Sequence, residues 1–221
     1  MSQLIFDLET FGYDFDQLDP VIQENFLKYA ETDEERENIK TRTGLYPVSG
    51  EIVALAMINP ATTKGKVFFQ APSSGLKNYE KDGVEYQIGS EKEILINFWQ
   101  AVKNYQQIIT FNGRGFDCPF IIYRSVAHGL KPSRNLMPNR YYFNEHLDLL
   151  EFLSFFGAFR KFSLAVMCQT FGIKNPKDEG VSGLAINGLF QNKEYKKIAE
   201  YCLRDVMATK ELHQKIKDFI F

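Results

Sequence analysis

Few of the residues that usually announce a function are present. Three cysteines, Cys118, Cys168 and Cys202, stand far apart in 221 residues, which excludes a disulfide framework and a zinc knuckle and predicts reduced core thiols. The three histidines, His128, His146 and His213, form no metal-ligand spacing either, so each is expected to be an ordinary surface or satisfied core residue. No run approaches the roughly 18 to 20 apolar residues that cross a bilayer. Nor does a basic segment followed by an apolar stretch open the chain, so a cytoplasmic protein with no membrane partner is expected. A strong excess of one charge is missing too, the net charge being -2. That average hides an asymmetry. Residues 11–40 hold nine acids against three bases, and residues 41–221 hold 23 bases against 17 acids. From Lys131 to Lys177 the ratio is seven bases to three acids, which suits a phosphate path and equally a solvated basic face.

What is abundant is core material: 44% of residues are hydrophobic and 14% aromatic. With no repeat, low-complexity tract or clear linker, a single α/β domain over 1–221 is expected, a mixed sheet flanked by helices. Residues 2–7, 51–59 and 66–71 predict closely spaced strands, hence an antiparallel meander, and 107–111 a fourth strand. Between the first two lies an acidic insertion at 11–50. In it, Asp19-Pro20 predicts one helix start and the Thr32/Glu35 capping box another; its expected role is to cover something or to meet a protein partner. Asp82-Gly83 predicts a small hairpin standing apart from the main sheet. Ser90 with Glu93 caps a helix carrying Ile94, Leu95, Phe98, Trp99 and Val102. Further helices are expected from Asp117 to His128 with Gly129 as stop, from Ser163 to about Gly172, and from about Asn192 to Asp218.

The chemistry starts at FDLET (6–10). Residues two apart on a strand share a face, so Asp7 and Glu9 stand side by side. They repel unless a cation lies between them. The second informative stretch is ITFNGRGFDCPFI, in which a strand runs into Asn112, Gly113 and Gly115, then Phe116 and Asp117. The glycines allow a tight turn and a close approach; Asp117 taken alone is equally a helix cap. The third is AEYCLRDVMAT, where Tyr201 and Asp205 are four apart and therefore on one helix face with Ile198 and Leu212. A carboxylate there wants a partner.

These three segments, in this order, resemble the motifs of the DEDD 3′-5′ exonucleases of the Tyr-containing (DEDDy) subgroup. They look most like the proofreading domain of family B DNA polymerases and its free-standing relatives. The resemblance runs from residue 4 to about 212 and includes HLDLLEFL and FSLAVMCQTFGI; the insertion at 11–50 departs from it. It implies a ribonuclease H-like fold, a five-stranded mixed sheet flanked by helices, with the fifth strand near YYFNEHLDLL.

By the same resemblance Asp7, Glu9, Asp117 and Asp205 hold two divalent cations, Mg²⁺ or Mn²⁺, for which hard oxygen ligands are suited. Asp7 would bridge the ions and Tyr201 would orient the attacking water. The implied partner is single-stranded nucleic acid with a free 3′ end, DNA ahead of RNA, and the implied products are nucleoside 5′-monophosphates, in repair, RNA trimming or end processing. Leu8, Phe11 and Phe116 are candidates to wedge or stack against the terminal base, or are simply core. Asn112 is a candidate to bond a phosphate or sugar, or stabilises its turn. Asp148 is expected as a helix cap or a support behind the site. Two alternatives are a catalytically silent nucleic-acid-binding or adaptor domain on the same fold and an endonuclease on a related sheet.

Overall fold

Strand β1 (Gln3–Gly12) sets the architecture because both of its faces are apolar. In the computed structural model, which describes residues 2–62, 64–175 and 183–220, Leu4, Phe6 and Leu8 belong to one buried cluster and Ile5 to another on the opposite face. Such a strand must be central. It pairs antiparallel with β2 (Gly50–Ile58) and parallel with β6 (Gln107–Thr110). β2 pairs antiparallel with β3 (Gly65–Phe69), the expected meander. β7 (His146–Asp148) lies parallel to β6, inside the segment where the resemblance placed the last strand.

The sheet has seven strands rather than the five implied, in the order β4-β5-β3-β2-β1-β6-β7. The two additional strands are the hairpin β4 (Tyr79–Lys81) and β5 (Val84–Ile88). It turns at Asp82 (φ +52°) and Gly83 (φ +76°), the paired left-handed residues of a tight two-residue turn. It does not stand apart: β5 runs parallel to β3 from Gly65↔Val84 to Phe69↔Ile88. The cause is the alternation of β5, which buries Val84 and Tyr86 and exposes Glu85, so its apolar side extends the core.

Helices α3 (Glu91–Val102) and α4 (Asp117–Ala127) cover the Leu4, Phe6 and Leu8 face, with Phe98 edge-on to Phe6 at 5.2 Å between ring centroids. The other face is covered by α6 (Leu164–Phe171), α7 (Ile186–Gln191) and the long α8 (Tyr195–Ile220). A short α5 (Leu149–Leu153) follows β7. Gly129 and Gly172, both left-handed, close α4 and α6 as expected. The last helix starts three residues later than expected because Lys193 is left-handed (φ +61°) and separates α7 from α8. In the insertion both expected helices form, α1 (Pro20–Leu27) behind Asp19 and α2 (Asp33–Lys40) with its capping box complete. Neither buries a residue. The three cysteines are free and buried. Of the basic run, Lys177 lies outside the described residues, and Arg134 is engaged with the carbonyls of Tyr105, Gln106 and Glu145. Among the described residues no helix is long and apolar enough to cross a membrane.

Glu91, buried at the start of α3, joins three elements. It accepts the Ile52 amide of β2 (2.8 Å), both Arg124 guanidinium contacts from α4 (2.8 and 2.7 Å) and the His128 ring (2.7 Å). Burial alone would raise its pKa, but these donors outweigh it and hold the carboxyl below its ordinary range. Arg124→Met should leave that charge short of donors and cost about 3 kcal/mol, read as a lower urea midpoint with an unchanged m-value.

Candidate active site

Asp7 and Glu9 project from β1 toward α8. Their partners across the β1–β2 ladder are Ala56 and Ala54, and α8 presents Ala199 and Cys202, all fully buried. Small side chains on both surfaces let the helix lie close to the sheet. The Cys202 thiol donates to the Asp7 carbonyl oxygen at 3.4 Å. This seats Tyr201 and Asp205, one turn apart, above the two strand carboxylates. One carboxylate oxygen from each of Asp7, Glu9 and Asp205 then lies within 4.8 Å of the others. The Tyr201 hydroxyl is hydrogen-bonded with Asp205, and the Arg204 guanidinium sits 5.6 Å from the Tyr201 ring centroid.

Asp117 comes from the opposite side. It is the first residue of α4, and Phe116 occupies the cap position without a side-chain bond, so the cap reading fails. Instead its Oδ1 accepts the Leu8 amide at 3.0 Å, tying α4 to β1. All four acids and Tyr201 line one cavity of about 450 Å³ together with Leu8, Asn112 and Phe116. Asp117 is outside the three-oxygen cluster. Phe11 does not reach the cavity lining. It stands two residues beyond Glu9, about 7 Å along the strand, where Phe190 of α7 covers it at 4.8 Å between ring centroids.

The turn bearing Asn112 is fastened by Asp148. That carboxylate accepts four amides: Asn112 (3.0 Å), Arg114 (2.9 Å), Leu150 (3.0 Å) and Glu151 (3.2 Å). It is both the cap of α5 and a clamp behind the cavity, as expected of a supporting acid. Asn112 is left-handed (φ +65°) and its carbonyl accepts the Gly115 and Phe116 amides, so it stabilises the turn and also faces the cavity. Gly113 is required by close approach, since a Cβ there would lie 2.5 Å from Thr110. Thr110 in turn bonds His146 Nε2 at 2.8 Å, and His146 Nδ1 meets the Leu136 carbonyl at 2.9 Å. A carbonyl only accepts, so Nδ1 carries the proton and Nε2 accepts from threonine. Burial, with Arg114 nearby, lowers the His146 pKa to about 3 and keeps the ring neutral.

Sequence reasoning missed Arg114, a buried side chain within the second motif. It donates to the Pro138 carbonyl at 2.9 Å and lies 3.6 Å from Glu151, which also binds Arg140. It also missed Phe162 and Ser163 as cavity lining, whereas Lys161 belongs to the basic run expected to suit a phosphate path. The basic, aromatic stretch FRKF was the available signal.

Burial, reinforced by Asp117, Asp205 and Glu9, raises the Asp7 pKa well above the carboxylate range. Asp117 is raised to about 7, again chiefly by burial. Tyr201 is raised by burial and then by Asp205, Glu9 and Asp7, so its phenol is neutral at physiological pH. Crowded carboxyl oxygens held against their own repulsion fit a hard divalent cation.

Residues 75–219 match a family described as a predicted 3′-5′ exonuclease related to the exonuclease domain of PolB. The chain is 30% identical to DNA polymerase 1 of Sulfolobus acidocaldarius over 149 residues, 60% of the chain and 16% of that protein. It is 26% identical to DNA polymerase 1 of Sulfurisphaera ohwakuensis over 56% of the chain and 15% of that protein. It thus spans about one sixth of these relatives. Among solved structures, the family B DNA polymerase of Pyrobaculum calidifontis superposes with a TM-score of 0.64 at 17% identity, over 99% of this chain and 25% of that one. That likeness concerns the fold, a ribonuclease H-like mixed sheet flanked by helices.

A carboxyl with a raised native pKa favours the folded state while protonated. Its contribution is complete below about pH 4 and is lost as pH rises through about 7. Metal-stripped protein should therefore lose Tm between about pH 5 and 7.5. Asp117→Asn should flatten this fall, and added Mn²⁺ should restore Tm at the upper end, both measurable by scanning fluorimetry.

Proposed function

Because this chain belongs to the family of predicted 3′-5′ exonucleases related to the exonuclease domain of PolB, we propose that it hydrolyses the terminal phosphodiester at the 3′ end of single-stranded nucleic acid. DNA is the preferred strand over RNA in this reading, and nucleoside 5′-monophosphates are released. The whole of 1–221 forms the one exonuclease domain. The observation that carries the proposal is the cluster of Asp7, Glu9 and Asp205 with Tyr201 above it and Asp117 on the facing wall of the same cavity.

Asp7, Glu9, Asp117 and Asp205 would hold two divalent cations, Mg²⁺ or Mn²⁺. When bound, these supply Lewis-acid stabilisation of the phosphate and a more acidic water. The protein's own part is positional. Tyr201, kept neutral and aimed by its bond with Asp205, is a hydrogen-bonding group for the nucleophilic water rather than its base. Phe116 presents apolar surface for the terminal base and Asn112 a polar group for the adjoining phosphate or sugar, while Leu8, buried against Leu4 and Phe6, lines the same cavity with little open surface. Phe11, covered by Phe190, supports this wall from outside it.

Asp205→Asn should fold normally and lose about 10³-fold or more in turnover. Tyr201→Phe should lose about 10²-fold, the scale of one positioned group at the reacting water. The assay uses 5′-labelled single-stranded DNA and RNA with Mg²⁺, Mn²⁺ or EDTA. A ladder shortening from the 3′ end, abolished by EDTA and by Asp205→Asn, is the expected result. Strands that are bound but left intact would overturn it in favour of a silent binding domain.

A further inference from the structure

The cavity accounts for the last nucleotide of a strand but not for what holds the rest. Between α5 and α6 runs FFGAFRKF (155–162), and its backbone is unusual: Phe155, Phe156 and Gly157 are left-handed in succession (φ +51°, +56° and +95°). Non-glycine residues adopt this conformation only where the surroundings impose it. Here the Ser154 carbonyl accepts both the Gly157 amide (3.0 Å) and the Phe159 amide (2.9 Å), which closes the turn.

The result is a sorting of aromatic rings. Phe156 is half-buried, 4.9 Å from Tyr141 and 6.5 Å from Phe152 between centroids, while Phe155 and Phe159 are left 67% and 59% exposed. Tyr141, packed on Phe156, is 62% exposed. Two bases follow in the same segment. The Arg160 guanidinium lies 5.5 Å from the Phe162 ring centroid, and Lys161 and Phe162 themselves line the catalytic cavity. An exposed aromatic strip with cations, leading along the chain into the cavity-lining Lys161 and Phe162, is therefore presented by a strained backbone.

We propose that this strip is the docking platform for the single-stranded nucleic acid upstream of its 3′ terminus. Bases stack on Phe155 and Phe159, and phosphates meet Arg160 and Lys161. Open ring faces beside cations are the composition that holds unpaired bases without regard to sequence, whereas a duplex offers no free base faces to such a surface. The assignment of the strand's direction rests on the exonuclease reading above; the platform itself is a statement about binding.

The test measures fluorescence anisotropy of a labelled twelve-residue thymidine oligonucleotide in EDTA, with wild type, Phe155→Ala, Phe159→Ala, the double variant and Phe155→Trp. Each alanine should weaken binding about tenfold, with the double variant weaker still and tryptophan restoring it. In turnover assays the double variant should raise KM for the oligonucleotide while leaving kcat unchanged. Hydrolysis of a mononucleotide p-nitrophenyl ester, too short to reach the strip, should be unaffected. Unchanged oligonucleotide affinity in the double variant, with its Tm retained, would overturn the proposal. So would a double variant that loses self-association in light scattering yet binds the oligonucleotide as well as wild type. A wild type that binds but never cuts would refute the exonuclease reading and leave the platform standing if the alanine effects persist.

Discussion

Crowding acidic groups at one end of a sheet is unfavourable in itself, and everything around this site is arranged against that cost. Burial, and then its neighbours Asp117, Asp205 and Glu9, hold the Asp7 pKa well above the ordinary carboxylate range. The opposing term is apolar burial. β1 is covered on both faces, by α3 and α4 on one side and by α6, α7 and α8 on the other. A strand fixed on two sides can carry repelling side chains that an edge strand could not.

The acids at this end are of two kinds, separated by what surrounds them. Asp148 receives four backbone amides and Glu91 an amide, an arginine and a histidine. These carboxylates hold structure. Asp117 takes the Leu8 amide, and Asp7, Glu9 and Asp205 crowd one another. The distinction between scaffold and chemistry is thus one of place: the first pair is engaged with backbone and cations behind the cavity, and the second group converges on the cavity itself.

Signals confined to a few neighbouring residues were legible in the sequence. The capping boxes at Thr32 and Ser90, the Asp82-Gly83 turn and the left-handed stops at Gly129 and Gly172 all form as their local chemistry dictates. The three acidic motifs were visible in the same way. What escaped depends on distant pairing. The parallel docking of β5 on β3 is decided by core burial across the sheet. Phe11 shares a strand face with Asp7 and Glu9, yet the helix that covers it arrives from residue 190. Asp117 has the composition of a cap, but its bond runs to an amide 109 residues away. Arg114 carries no local mark of burial at all.

The cavity has walls of unequal firmness. One is made by β1 and α8, and α8 is also the main cover of the sheet, packed on β1, β2 and β3. Tyr201 and Asp205 therefore cannot shift without disturbing the core, so this wall opens only with the cooperative unit to which it belongs. The other wall, from Lys161 to Ala165, belongs to a segment with exposed residues on a short turn and a short helix. On the proposed function, strands of different base sequence would be accommodated by this second wall. The fold assigns tolerance and fidelity of geometry to opposite sides of the same space.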